Sequence, residues 1–225
     1  MLHCLSSKAT SRLLAALTES FTARTGALVR LESIGGVEAA ARVRAGAASD
    51  VVVLAADVID ALIDEGYLRP GRTDVARSAT VVAVRAGLPH PPIDSEAALR
   101  EAVESMGRIA YSSGPSGLAI NRLFERWGIA DRLADRLVKA PPGVPVGDLL
   151  ARGEADLGFQ QRSELIFVDG IEILGPLPSS IAVVTTFAAG CGLACPDFPT
   201  AQALLAHLSD PAADALKRLE GMEPI

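Results

Sequence analysis

The sequence predicts an α/β protein with two lobes, each a mainly parallel sheet flanked by helices, joined by two crossing strands. Short, β-branched apolar runs alternate with stretches whose apolar residues recur every three or four positions. Continuously apolar strands of this kind are typical of a parallel sheet that helices cover on both faces. Two longer β-branched runs, at residues 78–87 and 181–190, flank a second round of the same alternation.

The first round predicts three strands and three helices. The strands are expected at residues 2–5, 27–33 and 50–55, and the helices at 9–24, 37–45 and 58–65. Gly26, Gly46 and Gly66 stand where these helices should end, because glycine readily takes the left-handed conformation of a helix C-terminus. These elements supply most of the first lobe.

The second round predicts three helices and four strands. The helices are expected at residues 95–104, 117–127 and 146–152, and the strands at 108–111, 137–140, 156–160 and 171–177. Two amphipathic helices follow near 199–208 and 211–219. We therefore expect one lobe from residues 1–80 plus 185–225 and a second from 82–180. A ligand is expected in the cleft between them.

Composition narrows the class of partner. The chain has 225 residues, a net charge of −6 and scattered positive residues, which argues against nucleic acid or an acidic membrane surface as a partner. No apolar run approaches the roughly 18–20 residues of a membrane span, so no membrane insertion is expected. The N-terminus lacks the pattern of a secretory leader. We expect a cytoplasmic chain, or a periplasmic one if a leader has been removed.

No metal or cofactor is expected. Cys4, Cys191 and Cys195 are an odd number of cysteines, and the CGLAC spacing has no second pair. The Walker A and Rossmann fingerprints are both absent. A Ser or Cys nucleophile is disfavoured because there is no GxSxG elbow and no histidine near a cysteine in sequence.

Four predicted strand-to-helix turns carry small or hydroxyl residues. A helix N-terminus presents unpaired N–H groups and a partial positive charge, so it attracts anions. Ordinary helix capping explains any single turn as well or better, whereas four turns facing one cleft favour a small anionic ligand. The candidate ligand residues in these turns are Ser6, Ser7, Gly36, Val37, Ser112, Ser113, Ser116, Gly117, Gly143 and Val144.

Several strings of the chain resemble the type 2 periplasmic solute-binding proteins, in particular their molybdate-binding branch. They are LHCLSSKATSRLLAALTESF, IGGVEAAARVRAGAASDVVVLA, RIAYSSGPSG, RGEADLGF and IAVVTTFAAG, in that order. The resemblance covers nearly the whole chain and implies a two-lobed fold that closes on a ligand. A membrane transporter would be a partner only of an exported form.

Two positions depart from the molybdate-binding pattern. Gly36 stands where the branch has a hydroxyl residue, and Gln161 stands where it has a tyrosine, so Gln161 and the following Arg162 are further candidate ligand residues. Lys8 and Arg162 add positive charge, which suits a di- or tricarboxylate better than a small tetrahedral oxyanion because arginine pairs with carboxylate in a bidentate way. Both side chains are equally consistent with solvated surface.

The run GFQQRSEL followed by GIEILGPLP also resembles aconitate isomerase, an enzyme built on the same fold. That resemblance implies an allylic proton shift, with donors that stabilise a carbanion and a base that moves the proton. Lys8 and Glu164 are the candidate catalytic residues, with Glu38 and Tyr111 as further titratable groups. Two hypotheses stay open: a non-catalytic anion-binding protein, and an isomerase acting on an unsaturated polycarboxylate.

Overall fold

The computed structural model describes residues 1–141 and 143–225. The chain divides into two compact units. Unit 1 comprises Met1–Ser78 and Thr185–Ile225, and unit 2 comprises Ala79–Val184.

Nine strands and ten α-helices occur in the described residues. The strands are β1 (Leu2–Ser7), β2 (Val29–Ile34), β3 (Val51–Ala55), β4 (Thr73–Arg85), β5 (Ile109–Tyr111), β6 (Leu137–Lys139), β7 (Leu157–Gln161), β8 (Ile171–Pro176) and β9 (Val184–Cys191). The helices are α1 (Ser11–Thr25), α2 (Gly36–Arg44), α3 (Ala56–Asp64), α4 (Glu96–Ser105), α5 (Pro115–Arg126), α6 (Ala130–Leu133), α7 (Val146–Ala151), α8 (Arg162–Leu165), α9 (Phe198–Ser209) and α10 (Asp214–Leu219). β4 and β9 carry the chain across the boundary between the units.

In unit 1 the strands lie in the order β2-β1-β3-β9. β1 runs parallel to β2 and β3, and β9 runs antiparallel to β3. β3 (VVVLA) is buried along its whole length because apolar clusters cover both faces of this sheet. One cluster contains Leu13, Leu17 and Phe21 of α1, and the other contains residues of α2 and α3.

In unit 2 the strands lie in the order β4-β7-β5-β6, and β8 pairs with β4. β5 runs parallel to β6 and β7, whereas β4 runs antiparallel to β7 and β8. Successive side chains of β4 point to opposite faces of the sheet, as in any β-strand. Val82 and Val84 pack with α4 and α5, and Val81 and Ala83 pack with α7.

Several element boundaries differ from the sequence-based expectation. The first helix begins as a 3-10 turn at Lys8–Thr10 before α1, and β4 begins at Thr73, ahead of the predicted run at 78–87. β9 starts only at Val184, because a 3-10 turn occupies Ser179–Ile181. The short helices α6 and α8 were not predicted, since a four-residue helix is too short to show a period.

Candidate functional site

In unit 1 the first candidate turn presents a buried hydroxyl. Ser7 ends β1 and is 5% exposed, and its Oγ has no hydrogen-bond partner among the described residues. Thr10 Oγ1 donates to the Ser7 carbonyl at 3.0 Å, which fixes the backbone of the turn but leaves the hydroxyl unused. A buried hydroxyl without a partner costs about 1–3 kcal/mol, so this group is suited to donating to a ligand.

The second candidate turn lies directly against Ser7. A Cβ placed on Gly36 would stand 3.6 Å from Ser7 Cβ, so the N-terminus of α2 and the hydroxyl are neighbours. The Ala39 N–H makes the first helical bond, to the Gly35 carbonyl, and the N–H groups of residues 36–38 precede it. Val37 is 63% exposed. Ser7 and α2 together form a cluster of neutral donors, which we call the unit 1 donor cluster.

Ser6 is placed differently from its neighbour. It is fully buried, and its Oγ lies 2.7 Å from Ser33 Oγ. Its hydroxyl is also 3.4 Å from the Ser7 carbonyl. The structure thus gives Ser6 a contact that ties β1 to β2, and its assignment as a ligand residue stays a prediction.

In unit 2 the turn before α5 forms a small hydroxyl network. Ser112 Oγ lies 3.0 Å from Ser116 Oγ and accepts from the Gly117 N–H at 3.1 Å. Two hydroxyls carry two protons, and their mutual bond uses one of them. One hydroxyl proton of the pair is therefore left to donate to another group. Ser116 is 6% exposed.

Gly117 is required by close packing in this turn. A Cβ there would lie 1.7 Å from the Ser112 carbonyl oxygen. The other predicted residues of these turns, Ser113 and Val144, are half-buried, and Gly143 is exposed with a φ of +79°. The Val144 N–H donates to the Pro141 carbonyl at 3.0 Å, and Pro142 of the predicted fourth turn lies outside the described residues.

The consecutive glutamines of β7 point to opposite faces of the sheet. Gln160 Oε1 accepts from the Val146 N–H at 2.7 Å and so caps α7, a role that the sequence did not predict. Gln161 is 4% exposed and ends β7. The sequence alone predicts that the two glutamine side chains lie on opposite faces, because neighbouring strand residues alternate. It does not predict that Gln160 binds the Val146 N–H.

The candidate charged residues are more exposed than these polar groups. Lys8 and Arg162 have exposed side chains, and Glu164 is half-buried in α8. Lys8 belongs to unit 1, whereas Arg162 and Glu164 belong to unit 2. Glu38 pairs with Arg42 at 2.6 Å on the surface of α2, which is the ordinary role of a first-turn acid followed by a base four residues later.

The cysteines are poor nucleophiles. Burial raises the pKa of Cys4 to about 12 and that of Cys195 to about 11, so both thiols are protonated at neutral pH. Within residues 1–141 and 143–225, no three His, Cys, Asp or Glu side chains are grouped as a metal site would need. No helix in that part of the chain is long and apolar enough to span a membrane.

Nearly the whole chain matches one known protein family. The family model for bacterial extracellular solute-binding proteins matches residues 2–223. The chain belongs to this family, which confirms the resemblance to solute-binding proteins found in the sequence.

Individual relatives refine the comparison. The chain is 35% identical over 181 residues to an aconitate isomerase from Pseudomonas sp., covering 79% of this chain and 68% of that protein. This match confirms the second resemblance found in the sequence.

Solved structures confirm the predicted two-lobed fold class. The periplasmic molybdate-binding protein of Azotobacter vinelandii matches with a TM-score of 0.82 and 23% identity, over 99% of this chain and 98% of that one. The sulfate-binding protein SubI of Mycobacterium tuberculosis H37Rv has the same TM-score at 14% identity, over 100% and 86%. A tungstate-binding protein of Desulfovibrio alaskensis G20 has a TM-score of 0.71 at 17% identity, over 96% and 92%.

Proposed function

We propose that the protein binds a small anion, an oxyanion or a di- or tricarboxylate, through helix N-termini and hydroxyls of both units. The observation that carries this proposal is the environment of the Ser7 hydroxyl. Its hydroxyl is buried, has no partner among the described residues, and lies beside the N-terminus of α2. Membership of a solute-binding family supports a binding role for these groups.

The donors favour an anion over a cation or a neutral ligand. The unit 1 donor cluster offers a hydroxyl and backbone N–H groups, and the Ser112–Ser116 pair in unit 2 offers a further hydroxyl proton. Such dipoles stabilise negative charge locally even though the whole chain is acidic. The similarity to molybdate- and sulfate-binding proteins is consistent with this chemistry.

Calorimetric titration of the purified protein tests the proposal. Molybdate, tungstate, sulfate, citrate and trans-aconitate are titrated separately. We expect saturable one-to-one binding of at least one of these anions, weakened by added salt because the ligand is charged. Absence of binding for all five would overturn the proposal.

A second candidate function is an isomerase of the aconitate type, favoured by the 35% identity to aconitate isomerase. In this reaction a base removes a proton from the CH₂ carbon of trans-aconitate, the double bond shifts, and a proton returns to the former vinyl carbon to give cis-aconitate. The donors would stabilise the carboxylate charge that develops in the carbanion. Lys8 and Glu164 are the residues proposed to move the proton.

NMR of trans-aconitate in D₂O with the purified protein distinguishes the two candidates. An isomerase would form cis-aconitate and incorporate deuterium, and changing Lys8→Ala or Glu164→Gln would abolish both. Binding of trans-aconitate or molybdate without turnover would exclude the isomerase and leave the binding function.

For an exported form of the chain, we propose a membrane transporter as the partner.

A further inference from the structure

A buried threonine on β4 belongs to none of the candidate turns. Thr80 is 1% exposed, and its Oγ1 has no hydrogen-bond partner in the described part of the chain. Its backbone N–H donates to the Val183 carbonyl at 2.8 Å, so this N–H group already has its partner. Valine has nearly the same shape and would avoid burying an unpaired hydroxyl. The hydroxyl therefore needs an explanation other than packing.

Strand pairing places Thr80 beside the candidate residue Gln161. The two are direct partners in the antiparallel pairing of β4 with β7, and directly opposed residues share a face of the sheet. Because the Thr80 N–H points towards Val183 rather than towards β7, this is a pair without a backbone hydrogen bond, the kind in which side chains lie closer.

The same face of the sheet leads to the N-terminus of α5. Val82 on β4 and Phe159 on β7, each two residues from this pair, pack against Ile120 and Phe124 of α5. By strand alternation, Thr80 and Gln161 lie on that face. Ser116 precedes Ile120 by one helical turn and is on the same side of α5.

The three polar residues also lie at the same end of the sheet. Gln161 is the last residue of β7, β5 runs parallel to β7, and α5 follows β5. The N-terminus of α5 is thus at the end where β7 finishes and where Thr80 sits on β4. The rest of this sheet face is apolar, with Val82, Val84, Leu157 and Phe159. It becomes polar only at the end that carries Thr80 and Gln161.

From this placement we infer that Thr80 is a ligand-binding residue, whose hydroxyl, with Gln161 and the N-terminus of α5, binds a carboxylate group of the ligand. The inference rests on the proposed anion-binding function and extends it, because it assigns to unit 2 a subsite of neutral donors. A hydroxyl and a carboxamide N–H₂ both donate to a carboxylate oxygen.

The test compares Thr80→Val with Thr80→Ser by calorimetric titration with trans-aconitate and citrate. Thr80→Val replaces the hydroxyl with a methyl group of similar size. We expect it to bind at least about tenfold more weakly while its melting temperature stays equal or rises. Thr80→Ser keeps the hydroxyl and should bind within about threefold of wild type.

Ser7→Ala serves as the reference variant for the anion site as a whole. Weaker binding in both Ser7→Ala and Thr80→Val, with rescue in Thr80→Ser, supports the inference. If Ser7→Ala binds more weakly and Thr80→Val keeps wild-type affinity, the proposed role of Thr80 is overturned and the anion-binding function stands. Equal loss in Thr80→Val and Thr80→Ser overturns it as well, because packing would then be the cause. Failure of the wild-type protein to bind either carboxylate overturns this subsite, and the five-anion titration decides separately whether anion binding survives.

Discussion

At the scale of single residues, the two adjacent serines at the end of β1 have opposite environments. Strand alternation explains the difference. Cys4 belongs to the apolar cluster that contains α1, and Leu5 to the cluster that contains α2. Ser6 lies on the same face of the sheet as Cys4, and its hydroxyl contacts Ser33. Ser7 lies on the same face as Leu5, next to the N-terminus of α2.

The sequence predicted Ser7 as a candidate but could not separate it from Ser6. Both are small, polar and next to a helix, and the distinguishing fact is which neighbour each hydroxyl meets. Ser33 is 27 residues from Ser6 along the chain, and no local pattern encodes that contact.

Changing Ser7→Ala should weaken anion binding by about 1–3 kcal/mol, because a hydroxyl that donates to a charged oxygen is lost. Stability without ligand should not fall, since this hydroxyl has no partner among the described residues. Calorimetry and thermal unfolding measure the two effects. Ser20→Ala, on the exposed side of α1, is the matched control and should change neither. An unchanged dissociation constant for Ser7→Ala would remove Ser7 from the site.

At the scale of elements, helix N-termini are held in place by specific contacts. α5 packs its first turn against the Ser112 carbonyl, which only glycine at position 117 permits. α7 is capped by the Gln160 side chain from the neighbouring strand β7. The sequence predicted the helices from their period, but the Gln160 cap joins residues of two elements and was not visible in it.

Gly117→Ala should destabilise the protein by about 1–3 kcal/mol, because the new methyl group meets backbone that must shift. The free energy of unfolding in urea measures this loss. Gly114→Ala, three residues earlier, has no atom within 4 Å of the added carbon. It should cost less than about 1 kcal/mol, the penalty for alanine at an N-cap. Equal losses in the two variants would contradict the packing argument.

At the scale of the whole molecule, the fold class followed from two rounds of strand and helix alternation and is confirmed. The predicted starts of the two long strands, β4 and β9, were wrong. β4 starts at Thr73 because Val75 and Ala76 are buried with α9 residues of unit 1, a long-range packing effect. Thr80 was missed for a similar reason, since its partner Gln161 is remote in sequence.

The candidate site was predictable in its chemistry more than in its geometry. Small residues before helices indicated donors for an anion, and the structure places Ser7 beside Gly36 and links Ser112 to Ser116. The roles of Lys8 and Arg162 stay predictions, because neither exposed side chain has a hydrogen-bond partner among the described residues that would fix its direction.

The central proposal is that the N-termini of α2 and α5 each contribute donors to the bound anion. Its most direct test follows the backbone amides in ¹⁵N-resolved NMR spectra during titration with trans-aconitate or molybdate. We predict that the amide of Val37 in unit 1 and that of Ser116 in unit 2 shift together, with the same dissociation constant. Shifts confined to one unit, or absent from both helix N-termini while a ligand binds elsewhere, would contradict the account.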